Sequence, residues 1–301
     1  MDGVALLQAG SALLLNACFA WLVGSWFARR WLWPARMASD ATAQAIARAD
    51  VLAAGLGAAG CAAALWAATA VMADAPLGEA AAMLWMMLST TGYGHTGSAA
   101  LLAMLLLLAL RVARKPGRAA DLVELAALAA LLVFTVTRAS MGHAGEGGLW
   151  TATMLAEAVH LFAVGVWSGA VFVAGWLVLS ESRGARPGLH TDRYLERMSQ
   201  AALAAVAAIA ATGVYSAWHR VGSAEHLLHT SYGWILQAKV LLVLLAVGLG
   251  GYNKFIGLPA AARSARGVLL VRRVLQVESL FLLGALLAAA LLTSQQPPAA
   301  G

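Results

Sequence analysis

The sequence predicts an all-α, polytopic integral membrane bundle of about eight transmembrane helices, and three observations carry that prediction. The chain is 61% hydrophobic and only 11% charged, with a mean hydropathy of +0.78; soluble domains carry roughly 25% charged residues. Runs without charge recur at lengths that cross a hydrocarbon core of ~30 Å, which needs about 20 residues of helix. Lysine and arginine are not scattered: 17 of the 20 fall in every second connection between those runs.

In chain order, the first helix covers about 4 to 28. It is long, lacks a basic start and is followed by Arg29 and Arg30, so it reads as a retained span and not as a cleavable signal. The second covers 49 to 73. The segment from Pro76 to His95 holds Glu79, an apolar stretch from Ala80 to Leu88, and then Ser-Thr-Thr-Gly-Tyr-Gly-His. It is too short to span before its glycines and predicts an interfacial or re-entrant helix near 79–92 on the outer face. Six more spans follow at about 96 to 113, 119 to 139, 151 to 179, 198 to 219, 233 to 254 and 272 to 293. Arg138 and Lys239 are accommodated by snorkelling toward the nearer surface.

The connections are too short for a soluble domain, so residues 1–301 form one transmembrane domain. Residues 1–140 supply its first four helices, 141–295 a second four-helix half, and 296–301 a short tail. No internal repeat stands out from residue identities.

Charge sets the orientation. The odd-numbered connections hold Arg29, Arg30, Arg36 and Arg48; Arg111, Arg114, Lys115 and Arg118; Arg183, Arg186, Arg193 and Arg197; and Lys254, Arg263, Arg266, Arg272 and Arg273. The even-numbered connections and the spans they touch hold Arg138, Arg220 and Lys239 alone. The positive-inside rule then puts both termini outside. The net charge of +6 is a topology signal and implies no nucleic acid.

Six of the seven histidines fall on the outer side: His95, His143, His160, His219, His226 and His229, with His190 alone in a basic loop. Imidazoles gathered with methionines and a few carboxylates on one face point to metal handling there. In the fifth helix Met154, Glu157, His160, Val164 and Trp167 recur at three- and four-residue spacing and form one stripe. His160 lies ~15 Å into the membrane at 1.5 Å per residue, where an ionisable group must face protein or water, so the stripe faces the bundle interior. The alternative is structural: Glu157 pairs with Arg138, and His160 makes an ordinary hydrogen bond.

Met141 and His143 lie just beyond the fourth helix, next to glycines that let backbone approach a ligand. His95 follows Met83, Met86 and Met87, and His226 and His229 are three residues apart. Thioether with imidazole suits Cu(I), and imidazole with carboxylate suits Cu(II) or Zn(II). Cys18 and Cys61 sit at similar depths and read either as small core residues or as a soft waypoint for Cu(I). A different class of reading uses His95, His143, His160 and His219 as axial ligands of a b-type haem, which would make the protein an oxidoreductase. The chain has no glycine-rich Lys-Ser/Thr motif, so direct ATP use is not expected. Lys239 and Glu278 are candidate ion-coupling residues, or else a snorkelling lysine and a glutamate paired with Arg272 or Arg273.

Residues 157 to 172, Glu-Ala-Val-His-Leu-Phe-Ala-Val-Gly-Val-Trp-Ser-Gly-Ala-Val-Phe, resemble the His-then-Trp-x-Gly helix of the copper resistance D (CopD) family of bacterial inner-membrane proteins. Three more stretches are similar to that family: Ser140 to Ala144; Arg197-Met198-Ser199 leading to Thr212-Gly213-Val214-Tyr215; and Thr230-Ser231-Tyr232-Gly233 followed by Lys239, with serine where proline is common. The resemblance covers about 140 to 295; before that it is one of hydropathy only. It implies a multi-pass inner-membrane protein with periplasmic termini that handles copper ions at its periplasmic face, often beside a separate periplasmic copper-binding protein. It implies copper uptake toward the cytoplasm or copper tolerance. Together with the residues above it favours a transporter over an enzyme, one that accepts copper outside and passes it inward, with His160 as the buried copper ligand. His143, Met141 and Met154 would be neighbours, Glu157 would tune the site and Trp167 would cap it from below. His95, His226, His229, Met83, Met86 and Met87 would capture the ion. A scaffold for copper-enzyme assembly remains a further alternative.

Overall fold

A computed structural model describes residues 3–32, 40–113, 120–145, 147–180, 189–221 and 224–295; the tail 296–301 lies outside them. Among the described residues every regular element is helical, and eight helices are long and apolar enough to cross a membrane. In chain order they are α1 (Gly3–Phe27), α2 (Asp40–Met72), α4 (Gly92–Val112), α5 (Ala120–Ser140), α6 (Ala152–Trp176), α7 (Leu189–Val221), α9 (Ser231–Tyr252) and α11 (Ala265–Thr293). Shorter helices α3 (Leu77–Thr90), α8 (Ala224–His229) and α10 (Leu258–Arg263) lie between them. Successive spans run in opposite directions. One side of the bundle, the basic end, therefore collects the arginine-rich connections, and the other, the histidine end, collects both chain ends.

Three helices extend past their expected limits. α2 begins nine residues early, α7 nine and α11 seven, in each case through charged residues such as Arg48, Arg193, Arg197 and Arg266. An apolar window marks where a helix crosses lipid, whereas arginine and glutamate are good helix formers and carry the helix into the aqueous layer. The segment after Pro76 forms α3, 14 residues long and without the length to span.

The two halves repeat one order of elements. Each has a 25-residue helix, a 33-residue helix, a short helix, a Thr-capped span and a last span: α1 to α5, then α6 to α11. The caps are alike in sequence, Thr91-Gly92-Tyr93-Gly94 and Thr230-Ser231-Tyr232-Gly233. Each threonine oxygen accepts from the glycine N–H three residues on, at 2.9 and 3.0 Å, satisfying a free helix-terminal donor. Both glycines are required by close approach, because a Cβ would meet the backbone of Met87 in one half and of Leu227 in the other. The repeat escapes inspection of the sequence because only Thr, Tyr and Gly survive in it.

The halves pack on each other through their first and last helices. α1 lies against α6, α5 packs on α6, and α11 packs on α1 in the equivalent way. Gly24 and Gly169 face each other at this seam with the two backbones in contact, so any side chain there would push the helices apart. Phe19, Val23, Val166, Trp167 and Ala170 complete one continuous apolar core.

At the basic end of the first half a charged cluster is buried. Asp50 is 0% exposed and pairs with Arg29, while Arg111 pairs with Glu124 at 2.8 Å and reaches Asp50 at 3.8 Å. Trp21 donates to Asp50 at 3.0 Å, and Trp26 to the Glu124 carbonyl at 2.9 Å. Two cations and two carboxylates balance, so no net charge is buried.

Candidate metal centre

At the histidine end of the second half α6, α7 and α9 bring polar side chains to one level. His160 on α6 is half-buried, and its Nδ1 lies 3.0 Å from the Thr212 hydroxyl of α7. That hydroxyl donates its one proton to the Ala208 carbonyl at 2.6 Å. It must therefore accept from His160, which fixes the proton on Nδ1 and leaves the Nε2 lone pair free for a metal. The Ile209 carbonyl, 3.4 Å from the same hydroxyl, adds a second acceptor on that side of the ring. Gly213 lets α7 approach, since its Cβ position is 3.5 Å from the imidazole Cε1.

One turn toward the histidine end, Glu157 pairs with Arg220 of α7 at 2.6 Å. Pairing with Arg138 is thereby corrected: Arg220 ends α7 beside the start of α6, whereas the Arg138 Nε has no hydrogen-bond partner. Tyr232 of α9 also hydrogen-bonds Arg220, and Lys239 of α9 feels the charges of both Glu157 and Arg220. The cluster holds one carboxylate and two cations around a neutral imidazole. Thr212, Arg220 and Tyr232 were not anticipated as site residues. Their signal was present in Thr212-Gly213 and Thr230-Ser231-Tyr232-Gly233 and in the rarity of arginine at this end.

The other candidates are dispersed. Met154 is buried on α6, two turns from His160. Met141 packs its methyl 3.3 Å from the Cβ position of Gly97 on α4, in the first half. His143 starts a short 3-10 turn, His143–Gly145, and its side chain lies outside the described residues. His95 is exposed and bonds the Ser89 carbonyl at 3.1 Å. His219 is exposed, bonds the Tyr215 carbonyl at 2.9 Å and lies over the Tyr215 ring. His226 bonds the Val221 carbonyl at 3.0 Å, and His229 is exposed on α8. Met83 and Met86 are exposed on α3 while Met87, on the edge of the same face, is packed inward at 4% exposed. Trp167, two turns further along α6, donates its indole N–H to Glu278 at 3.0 Å. Glu278 pairs with neither Arg272 nor Arg273; Arg272 donates to the Gly175 carbonyl at 3.3 Å. Among the described residues no three His, Cys, Asp or Glu side chains converge as a ready-made metal cage.

A deep imidazole held by a threonine, beside an ion pair within an all-helical bundle, defines a multi-pass membrane protein with a polar centre near one face. Residues 192–292, from α7 through most of α11, match the family model of Copper resistance protein D, CopD. That match supports the copper resistance D family for this chain and, with the membrane helices, fits a copper-related membrane protein. No curated protein and no solved structure matches it.

Proposed function

We propose that the protein takes up copper ions at the histidine end, which faces the periplasm across a bacterial inner membrane, and passes them toward the basic end. The observation that carries this reading is the His160–Thr212 bond, which occupies Nδ1 and leaves Nε2 as the ring nitrogen open to a metal, at a depth where an ionisable group needs a purpose. His160 Nε2 is the first ligand. Glu157, released from Arg220, and the Met154 thioether lie one and two turns above it as the approach. Exposed His95, His229, Met83 and Met86, with half-buried His226, offer transient ligands at the surface. His143 and Met141 close the neighbouring loop, and a separate periplasmic copper-binding protein would deliver the ion.

Elemental analysis with an optical spectrum on detergent-purified protein, wild type beside His160→Ala, tests this. Copper near one per chain that drops in the variant, with no Soret band, is the expected result. A Soret band lost with the same substitution would instead make the protein a b-type haem protein. Copper retention and an unchanged copper phenotype in the variant would favour an assembly scaffold.

A further inference from the structure

Glu278 lies at the middle of α11, 14 residues into a 29-residue span, and is 1% exposed. Oε1 accepts the Trp167 indole N–H at 3.0 Å, while Oε2 has no hydrogen-bond partner. Gly250 of α9 faces the same carboxyl, its Cβ position 3.7 Å from Oε1. Three residues on, on that same face of α9, Asn253 is 4% exposed and neither of its amide atoms is bonded. Asn253 begins a π turn, Asn253–Gly257, a form that recurs at functional sites.

Each element packed on this carboxyl lacks a counter-charge at its level. α1 carries no charged residue between Gly3 and Phe27. α6 presents Trp167, and its nearest titratable group, His160, lies seven residues away, ~10 Å toward the histidine end. α9 and the turn after it present Gly250 and Asn253; Lys239 stands eleven residues before Gly250, ~16 Å along the axis, and Lys254, four residues after that glycine, is exposed and lies over the Phe255 ring. On α11 itself Arg272 is turned to the Gly175 carbonyl, and Arg273 is exposed. α10 ends at Arg263, at the basic end. A bare carboxylate so placed would cost several kcal/mol, a cost that a bound proton removes.

We propose that Glu278 is a proton-binding site at mid-membrane. The carboxylate takes a proton from water to become the neutral acid, with the hydrogen on Oε2 and Oε1 kept for Trp167. Asn253, one turn toward the basic end, supplies the next acceptor and donor for its exchange. The proton stands independently of copper; its use, exchange against an incoming copper ion, rests on the proposed function.

Infrared difference spectra of wild type against Glu278→Gln at neutral pH, in an ester-free maltoside detergent, test the site. A carbonyl band of a neutral carboxylic acid, absent from the variant and shifted in heavy water, is expected. Glu278→Asp should move that band without removing it, which guards against a misfolded glutamine variant. No such band, or one that heavy water leaves in place, would overturn the proposal. Copper loading of the wild type should then diminish the band and release a proton. Copper that binds without touching the band would overturn the exchange, whereas failure to bind copper with the band intact would sink the copper reading alone.

Discussion

The two halves of the bundle share one plan and finish it differently. In the first half α2 packs along α4, and its buried charges come as two arginines with two carboxylates. In the second half the equivalent helices, α7 and α9, scarcely touch, and they are the least buried spans of the molecule, 17% and 11% against 67% for α6. There the polar groups are not gathered into one charge-balanced cluster: His160 bonds Thr212, Glu278 accepts from Trp167 on one oxygen alone, and the buried Asn253 amide has no hydrogen-bond partner. Unbonded buried donors and acceptors remain in both halves, so what differs is the charge balance of the first half's cluster and the loose packing of α7 on α9. On the proposed function, α1 through α5 would support the bundle and α6 through α11 would carry the chemistry.

The largest effect that would break this contrast is at the charged cluster. Arg111→Ala leaves a buried carboxylate uncompensated and should destabilise by about 3–5 kcal/mol, read as a lower thermal midpoint and less extractable protein, with copper stoichiometry unchanged in whatever folds. Equal loss of copper binding in the folded fraction would deny the first half its purely supporting role. Next comes the seam: Gly169→Leu should cost about 1–3 kcal/mol or more by overpacking, measured by the same melting curve, whereas Gly248→Leu, where nothing lies near, should leave it in place. Smaller in energy but confined to function, Thr212→Val should weaken copper binding about tenfold to a hundredfold by freeing the imidazole to rotate. A copper titration checks it, and an unaltered affinity would remove the tautomer argument. Smallest for stability is Arg220→Ala, which breaks a partly exposed pair and should change stability by ~1 kcal/mol or less. Its signature would lie in copper affinity, because Glu157 is released.

Much of the fold was legible in the sequence. Eight spans and a segment after Pro76 too short to cross followed from apolar run length, because a hydrocarbon core of fixed thickness enforces it. His160 was singled out by depth. What the sequence did not show depends on contacts between distant helices. That Trp167 bonds Glu278, and that Glu157 pairs with Arg220 instead of Arg138, follows from which helices lie beside α6 at each level of the bundle. Spacing along one helix carries no such information. The local bonds of the other histidines were illegible for a related reason: position in a loop does not say which carbonyl a ring meets, and His95, His219 and His226 each place one ring nitrogen on a nearby carbonyl.

The meeting of Gly24 with Gly169 bears on how such a molecule changes shape. Where two main chains touch without intervening side chains, neither helix has a cushion to slide on, and the seam through the middle of the bundle behaves as a keel. Rocking one half against the other, the common route to alternating access in duplicated transporters, is blocked along that line. Motion is left to the periphery, where α7 leans on α6 and on little else. For the proposed copper passage, a gate would thus be a single wall that swings while the rest of the bundle stays still.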